Sequence, residues 1–221
     1  MSFVVAIDGP AGSGKGTITK LVGEKLGLIN IDTGAMYRSV TLKAIRENIG
    51  LEDIEKLEKM LEDISIEIKR NGSNQIIFLD GEDVSEEIRT PQIDSLVTKF
   101  AGIPSVRNKM TPLQREMGEN SNIIMEGRDI GTAVFPNADV KIYLDASFEE
   151  RAKRRYNQNI EKGIDCNYGE ILAGIKERYE LNIKREMNPL VKADDAIYID
   201  TSDMTIQEVV EKIIEIIENK K

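Results

Sequence analysis

Histidine is absent from this 221-residue chain, which removes the usual general base, the Ser-His dyad and the commonest metal ligand together. Its chemistry must run without imidazole. Cysteine occurs once, as Cys166 in the polar stretch Asp165-Cys166-Asn167, so neither an intramolecular disulfide nor a multi-cysteine zinc site can form. A reducing, cytoplasmic setting is expected. No apolar run approaches the length of a bilayer, and the N-terminus lacks a basic region joined to an apolar segment, so neither a membrane role nor secretion is expected. Positive charge is scarce too: 30 Lys and Arg stand against 39 Asp and Glu, a net charge of -9. That balance argues against coating nucleic acid, whereas small anionic ligands need only local positive charge. There is no internal repeat, low-complexity tract or Pro-rich linker. What remains is 40% hydrophobic, enough for a sizeable core in one domain, with or without insertions.

Against these absences stands one dense feature, Gly9-Pro10-Ala11-Gly12-Ser13-Gly14-Lys15-Gly16-Thr17, between the apolar run Phe3 to Ile7 and a helical stretch. A glycine-rich turn can be only a turn. Two glycines at the fixed spacing, plus lysine, between a strand and a helix favour a phosphate cradle. Without Cβ atoms, Gly12, Gly14 and Gly16 let backbone N–H groups converge on a polyphosphate, and Lys15 supplies a mobile point charge. The guest expected is a triphosphate. The commoner loop places Ser or Thr directly after the lysine; here Gly16 intervenes and Thr17 follows, which weakens Thr17 as a direct Mg²⁺ ligand. Phosphoryl transfer between phosphates also suits a chain without histidine. A nucleoside monophosphate has its second pKa at about 6, so its attacking oxygen is already ionised at neutral pH.

Short apolar runs recur at Phe3 to Ile7, Leu28 to Ile31, Asn122 to Met125, Val140 to Leu144 and Ala196 to Ile199, separated mostly by helical patterns. Continuous apolar strands alternating with helices read as an α/β fold, a parallel sheet of about five strands flanked by helices. The last helix opens on the capping-box spacing Thr205-Ile206-Gln207-Glu208, and Ile206, Val209, Val210, Ile213, Ile214 and Ile217 form a stripe expected to be core. Two stretches break the rhythm. From Gly34 to about Pro104, Ile64 to Lys69 alternates as a half-buried strand, Asn71-Gly72 offers a hairpin turn and Gln75 to Leu79 returns, so a small antiparallel insertion is expected. From Arg151 to about Tyr168 the chain is polar and reads as a mobile cover.

Positive groups near strand ends complete the reading, because phosphoryl transfer needs them on donor and acceptor. Asp32-Thr33-Gly34-Ala35-Met36-Tyr37-Arg38 follows the second strand and Glu126-Gly127-Arg128-Asp129 the third, where open parallel sheets bind ligands. Glu126 reads either as a carboxylate ordering Mg²⁺ or its waters, or as a capping or salt-bridging group. No residue is assigned as a direct metal ligand.

These segments, together with Gly81-Glu82-Asp83-Val84, Ile88-Arg89-Thr90, Ile130-Gly131-Thr132 and Lys141-Ile142-Tyr143-Leu144-Asp145-Ala146-Ser147, resemble those of the bacterial cytidylate kinases nearly end to end. The resemblance implies a P-loop NTPase-type domain over residues 1–221, with a nucleoside monophosphate-binding insertion at 34–105 and a lid at 151–168. It implies transfer of the γ-phosphoryl of ATP, with Mg²⁺, to CMP or dCMP by a monomer. Thr33, Arg38 and Arg128 would meet the acceptor phosphate, with Arg185 nearby; Thr98, Arg107 and Asp129 would face the cytosine; Arg178 would lie beside the ribose. The family usually has an aspartate where this chain has Asn182, which puts the usual ribose contact in doubt. Arg151, Arg154 and Arg155, at i, i+3 and i+4, would share a helix face and close over the ATP phosphates. The cytosine assignment also has a physical basis: N4 donates while N3 and O2 accept, which a carboxylate and a guanidinium satisfy. Kinases of adenylate, uridylate or shikimate, and a nucleotide-binding switch, stay open as alternatives. The nearest guanine-reading match, Asn108-Lys109-Met110-Thr111, lacks the closing carboxylate.

Overall fold

Each apolar run becomes a strand in the computed structural model, which describes residues 2–71 and 74–220. In chain order the elements are β1 (Val4–Asp8), α1 (Lys15–Leu26), β2 (Ile29–Asp32), α2 (Thr33–Arg46), α3 (Ile54–Asp63), β3 (Ile66–Asn71), β4 (Asn74–Leu79), β5 (Glu82–Asp83), α4 (Pro91–Phe100), α5 (Pro104–Gly118), β6 (Ile123–Gly127), β7 (Val140–Asp145), α6 (Phe148–Glu161), α7 (Tyr168–Lys184), β8 (Ile197–Asp200) and α8 (Ile206–Glu218). Five of the strands form one parallel sheet in the order β2-β6-β1-β7-β8. These strands reach past the apolar runs to a carboxylate at or next to the end: Asp8, Asp32, Glu126, Asp145 and Asp200. The backbone ladder continues where hydrophobicity stops, and three of these carboxylates accept amides that follow, at Ala35, Ala146 and Ser202. A row of anionic groups therefore edges the face where the helices begin.

Alternation along β1 divides the core between two faces. Val5 and Ile7 pack with Ile18, Val22, Val209, Val210, Ile213 and Ile217 of α1 and α8, while Val4 and Ala6 point the other way, onto Ile31, Met125 and Ile130. α8 starts on the expected capping box, with Thr205 N–H donating to Glu208 Oε2 at 2.8 Å and Glu208 N–H to Thr205 Oγ1 at 3.3 Å. Ile206 departs from the expected stripe. It is 56% exposed, because the first turn of α8 rises above the sheet and opens onto the cleft described below.

The segment between α2 and α5 builds a separate apolar core around Met36, Leu57, Ile77, Ile88, Ile93 and Met110. Its sheet has three antiparallel strands, β3-β4-β5, one more than the sequence reading gives. The added turn is Asp80-Gly81, whose φ angles of 50° and 87° are those of a two-residue hairpin loop. The turn expected at Asn71-Gly72 lies in part outside the described residues. Residues 151–161 of the expected cover belong to a regular helix, α6, capped by Ser147. Among the described residues, no helix is long and apolar enough to cross a membrane.

Candidate active site

The loop after β1 can close only with glycine. A Cβ at Gly9 would stand 1.9 Å from the Leu144 carbonyl oxygen, and Gly12 and Gly14 hold φ of 81° and 90°, a region other residues seldom adopt. Gly14 caps α1, so the first amides of that helix, which have no partner within it, point into the loop. Lys15 is buried there, donating to the Pro10 carbonyl at 2.8 Å and to Ser13 Oγ at 3.3 Å. Burial, then the neighbouring Arg128, lowers its pKa to about 7.

Opposite the loop stand two carboxylates. Asp32 caps α2 through Ala35 N–H and pairs with Arg38 Nη2 at 2.7 Å; burial alone would raise its pKa, but Arg38 outweighs it and the net shift is downward. Glu126, adjacent to Asp32 in the strand register, is pushed up to about 7 by burial and by Asp32. Its Oε1 lies 3.4 Å from Thr19 Oγ1, and a Cβ at Gly16 would stand 3.2 Å from the same oxygen. Gly16 thus gives Glu126 room against the loop.

One cleft of about 670 Å³ contains both groups. Its donor side is lined by Ala11, Gly12, Ser13, Gly14, Lys15, Gly16 and Thr17, and its other side by Arg38, Arg89, Asp94, Arg128 and Arg178, with Arg154 and Arg155 above. Burial, then Arg178, lowers the Arg128 pKa to about 10. Arg38, Arg154 and Arg155 have carboxylate partners in Asp32, Glu150 and Asp94, whereas among the described residues Arg89, Arg128 and Arg178 form no ion pair, a state suited to anions.

Several residues singled out from sequence do not line this cleft but stand one layer behind it. Gly9 and Pro10 form the entry to the loop. Thr33 Oγ1 donates to the Glu126 carbonyl at 2.7 Å. Thr98 Oγ1 accepts from Arg178 Nε at 3.2 Å, and Asn182 Nδ2 donates back along α7 to the Arg178 carbonyl at 2.6 Å. Asp129, buried, is gripped by Arg107 Nη2 on one oxygen and by Arg185 Nη2, at 3.1 Å, on the other.

The three arginines of α6 are placed differently. Arg154 Nη2 donates to the Thr201 carbonyl at 2.7 Å and its Nη1 to Thr201 Oγ1 at 3.1 Å, just after β8, where Thr201 Oγ1 lies 3.5 Å from the Ser13 carbonyl oxygen of the phosphate loop. Arg155 pairs with Asp94 of α4. Arg151 instead is buried beneath the loop, donating to the Ala146 carbonyl at 2.9 Å and to the Ala11 carbonyl at 3.3 Å, with Phe148 and Tyr179 against its guanidinium. The helix turns residue 151 toward the core and residues 154 and 155 toward the cleft. Arg89, Asp94 and Thr201 were not singled out by spacing. Asp94 and Thr201 meet partners in other elements, Arg155 and Arg154, whereas Arg89 donates to the Ser85 carbonyl four residues before it.

A phosphate loop at the end of the central strand, facing guanidiniums across one cleft, defines a P-loop phosphotransferase. A solved shikimate kinase from Acinetobacter baumannii shares the fold, with a TM-score of 0.51 at 15% identity over 100% of this chain and 96% of that one. The family model for cytidylate kinase matches residues 5–219, and the chain belongs to the cytidylate kinase family. It is 50% identical to the cytidylate kinase of Bacillus subtilis over 98% of this chain and 96% of that protein. It is 46% identical to the one from Caldicellulosiruptor saccharolyticus, over 96% and 94%.

Proposed function

We propose that the chain moves the γ-phosphoryl of ATP onto CMP or dCMP, giving ADP and CDP or dCDP. The observation that carries this reading is the single cleft with loop amides and Lys15 on one wall and Arg38, Arg89, Arg128 and Arg178 on the other. ATP phosphates fit the first wall and the acceptor phosphate the second. An acceptor oxygen then forms a bond to the γ-phosphorus as the bond to the β–γ bridging oxygen breaks, and ADP leaves with that electron pair. The acceptor is a dianion, so no side chain has to take a proton. Catalysis is positioning plus charge stabilisation.

Base selection falls to Asp129 and Arg107, which stand behind the cleft lining, so that the cytosine has to enter past that lining to meet them. Two guanidiniums hold Asp129, yet each carboxylate oxygen has a further lone pair for the cytosine N4 amino group. Uracil presents a carbonyl oxygen there and leaves the carboxylate opposed, a penalty of about 1–3 kcal/mol in a dry site. Residues 151–168 act as the lid, Arg154 and Arg155 reaching over the phosphates and excluding water.

Magnesium fits this donor set. Glu126 and Asp32 face the phosphate loop as neighbouring carboxylates, and among the described residues no cluster of three or more ligating side chains could cage a metal without the nucleotide. Mg²⁺ characteristically takes one or two carboxylates, water and substrate phosphates. Glu126 and Asp32 would hold it, directly or through water, and it would neutralise charge on the transferring phosphates. A coupled assay of ADP release with CMP, dCMP, UMP, AMP and shikimate tests the reading. Turnover with CMP and dCMP well above the others is expected; equal or greater turnover with UMP, AMP or shikimate overturns it.

A further inference from the structure

Asp8 is the last residue of β1, immediately before the phosphate loop, and is 5% exposed. Its carboxylate reaches no residue of that loop through a hydrogen bond. Oδ1 accepts from Ile130 N–H and Oδ2 from Gly131 N–H, each at 2.7 Å. Those amides open the π-helical turn Ile130–Val134, and the turn closes on Asp129 itself, whose carbonyl accepts from Ala133 N–H at 2.9 Å and Val134 N–H at 3.2 Å. Strand register places Asp8 beside Gly127. Arg128 and Asp129 are therefore the two residues between a ladder-fixed strand end and a turn hooked by a buried carboxylate. The geometry is tight: a Cβ at Gly131 would stand 3.3 Å from Asp8 Oδ2 and 3.2 Å from Lys141 Cδ.

We propose that Asp8 is a positioning residue for acceptor recognition, fixing Arg128 and Asp129 against the phosphate loop so that the base reader and the donor keep one geometry. It touches neither substrate; it acts through the two backbone amides. The proposal rests on the reading of Asp129 as the base reader. Two hydrogen bonds to a buried charged acceptor are enough to hold a short turn, and losing one of them is felt at the residue the turn begins on.

Asp8→Asn keeps the shape but turns an NH2 group toward one of the two amides. With purified full-length protein, the KM for CMP is expected to rise about tenfold and the CMP-to-UMP ratio of kcat/KM to fall by a similar factor, the KM for ATP moving by about twofold at most. A purely structural carboxylate would lower CMP and UMP turnover alike. Combined with Asp129→Asn, the loss in that ratio should be far less than additive. A folded Asp8→Asn variant with the parental ratio and KM for CMP overturns the proposal, as does strict additivity in the pair. If Asp8→Asn does not fold, Gly131→Ala leaves the carboxylate in place and pushes the turn away from it. A fall in the same ratio supports the proposal and an unchanged ratio overturns it. Parental protein that fails to phosphorylate CMP sinks the functional reading itself; indifference of the variants with an active parent sinks only the role of Asp8.

Discussion

Arg151→Met separates bracing of the phosphate loop from chemistry above it. Arg151 is 2% exposed, and its guanidinium supplies donors to two carbonyls, Ala11 and Ala146. Methionine fills much of the volume between Phe148 and Tyr179 but can donate to neither. Two carbonyls deprived of a partner cost about 1–3 kcal/mol each. Relief from burying a cation, which already lowers this arginine's pKa, offsets part of that. A net loss of about 2 kcal/mol follows, and for a chain of this size it lowers the melting temperature by about 4–8 °C. The functional effect should fall on the donor: with Ala11 released, the KM for ATP rises about tenfold while the KM for CMP holds. Arg154→Ala is the contrast, because its side chain is a quarter exposed and its loss should reduce turnover with little change in melting. Thermal unfolding with steady-state kinetics for each substrate distinguishes the two. Parental melting and parental KM for ATP in Arg151→Met would refute the brace.

Lys15→Ala should lower turnover about a hundredfold or more with melting nearly unchanged, since the ammonium is buried at a cost that already brings its pKa down to about 7. Parental turnover would remove the loop from the mechanism. Asn182→Asp exchanges the donor to the Arg178 carbonyl, 2.6 Å away, for a carboxylate that repels it, and the ratio of kcat/KM for CMP over dCMP should shift several-fold. Unchanged constants for both nucleotides would sink that assignment. Glu126 carries a pH dependence: folding raises its pKa from 4.5 to about 7, so the folded state binds the extra proton and stability falls as pH rises through that window. Glu126→Gln lacks this loss, and its unfolding free energy relative to the parent should increase between about pH 5 and about pH 7. Urea titrations at both ends give the difference, to which Lys15, whose pKa the Glu126 charge holds up, adds in the same direction; a constant difference would refute the assignment.

Strand positions were legible because a parallel strand covered on both faces is mostly apolar along its length. The strand ends were not legible, since Asp8, Asp32, Asp145 and Asp200 continue the backbone ladder while breaking the hydrophobic pattern. Asp80-Gly81 carried a hairpin signal as plain as Asn71-Gly72, and β5 was missed because only two residues follow it in the ladder. Ile206 satisfied the helical period perfectly well; period alone cannot tell a core face from a first turn that overhangs a cleft. At the site, the loop, Arg38 and Arg128 were visible because each follows a strand end, whereas Arg107, Arg178 and Arg185 lie in or at the ends of helices and came only from the family resemblance. Asp94 was not visible, because its partner Arg155 is 61 residues away and neither local sequence requires the other. Arg151 failed for a finer reason: a spacing of three and four residues puts side chains on neighbouring rows, and the boundary between core and cleft runs between those rows.

The departure of the phosphate loop from its commoner form has a cause in the sheet. Register fixes Glu126 beside Ile7 on β1 and beside Asp32 on β2, so its backbone position is set from both sides. From there the carboxylate reaches the first turn of α1, where any residue with a Cβ at position 16 would meet Oε1 at 3.2 Å and displace it by a few tenths of an ångström. A hydroxyl side chain after Lys15 and a carboxylate at Glu126 compete for the same space. The chain keeps the carboxylate, and the hydroxyl next in sequence, Thr17, is exposed where the first turn of α1 borders the cleft. Glycine at 16 thus leaves Glu126 its room, and in the function proposed above Glu126 and Asp32 on the facing strands would take the cation-holding role.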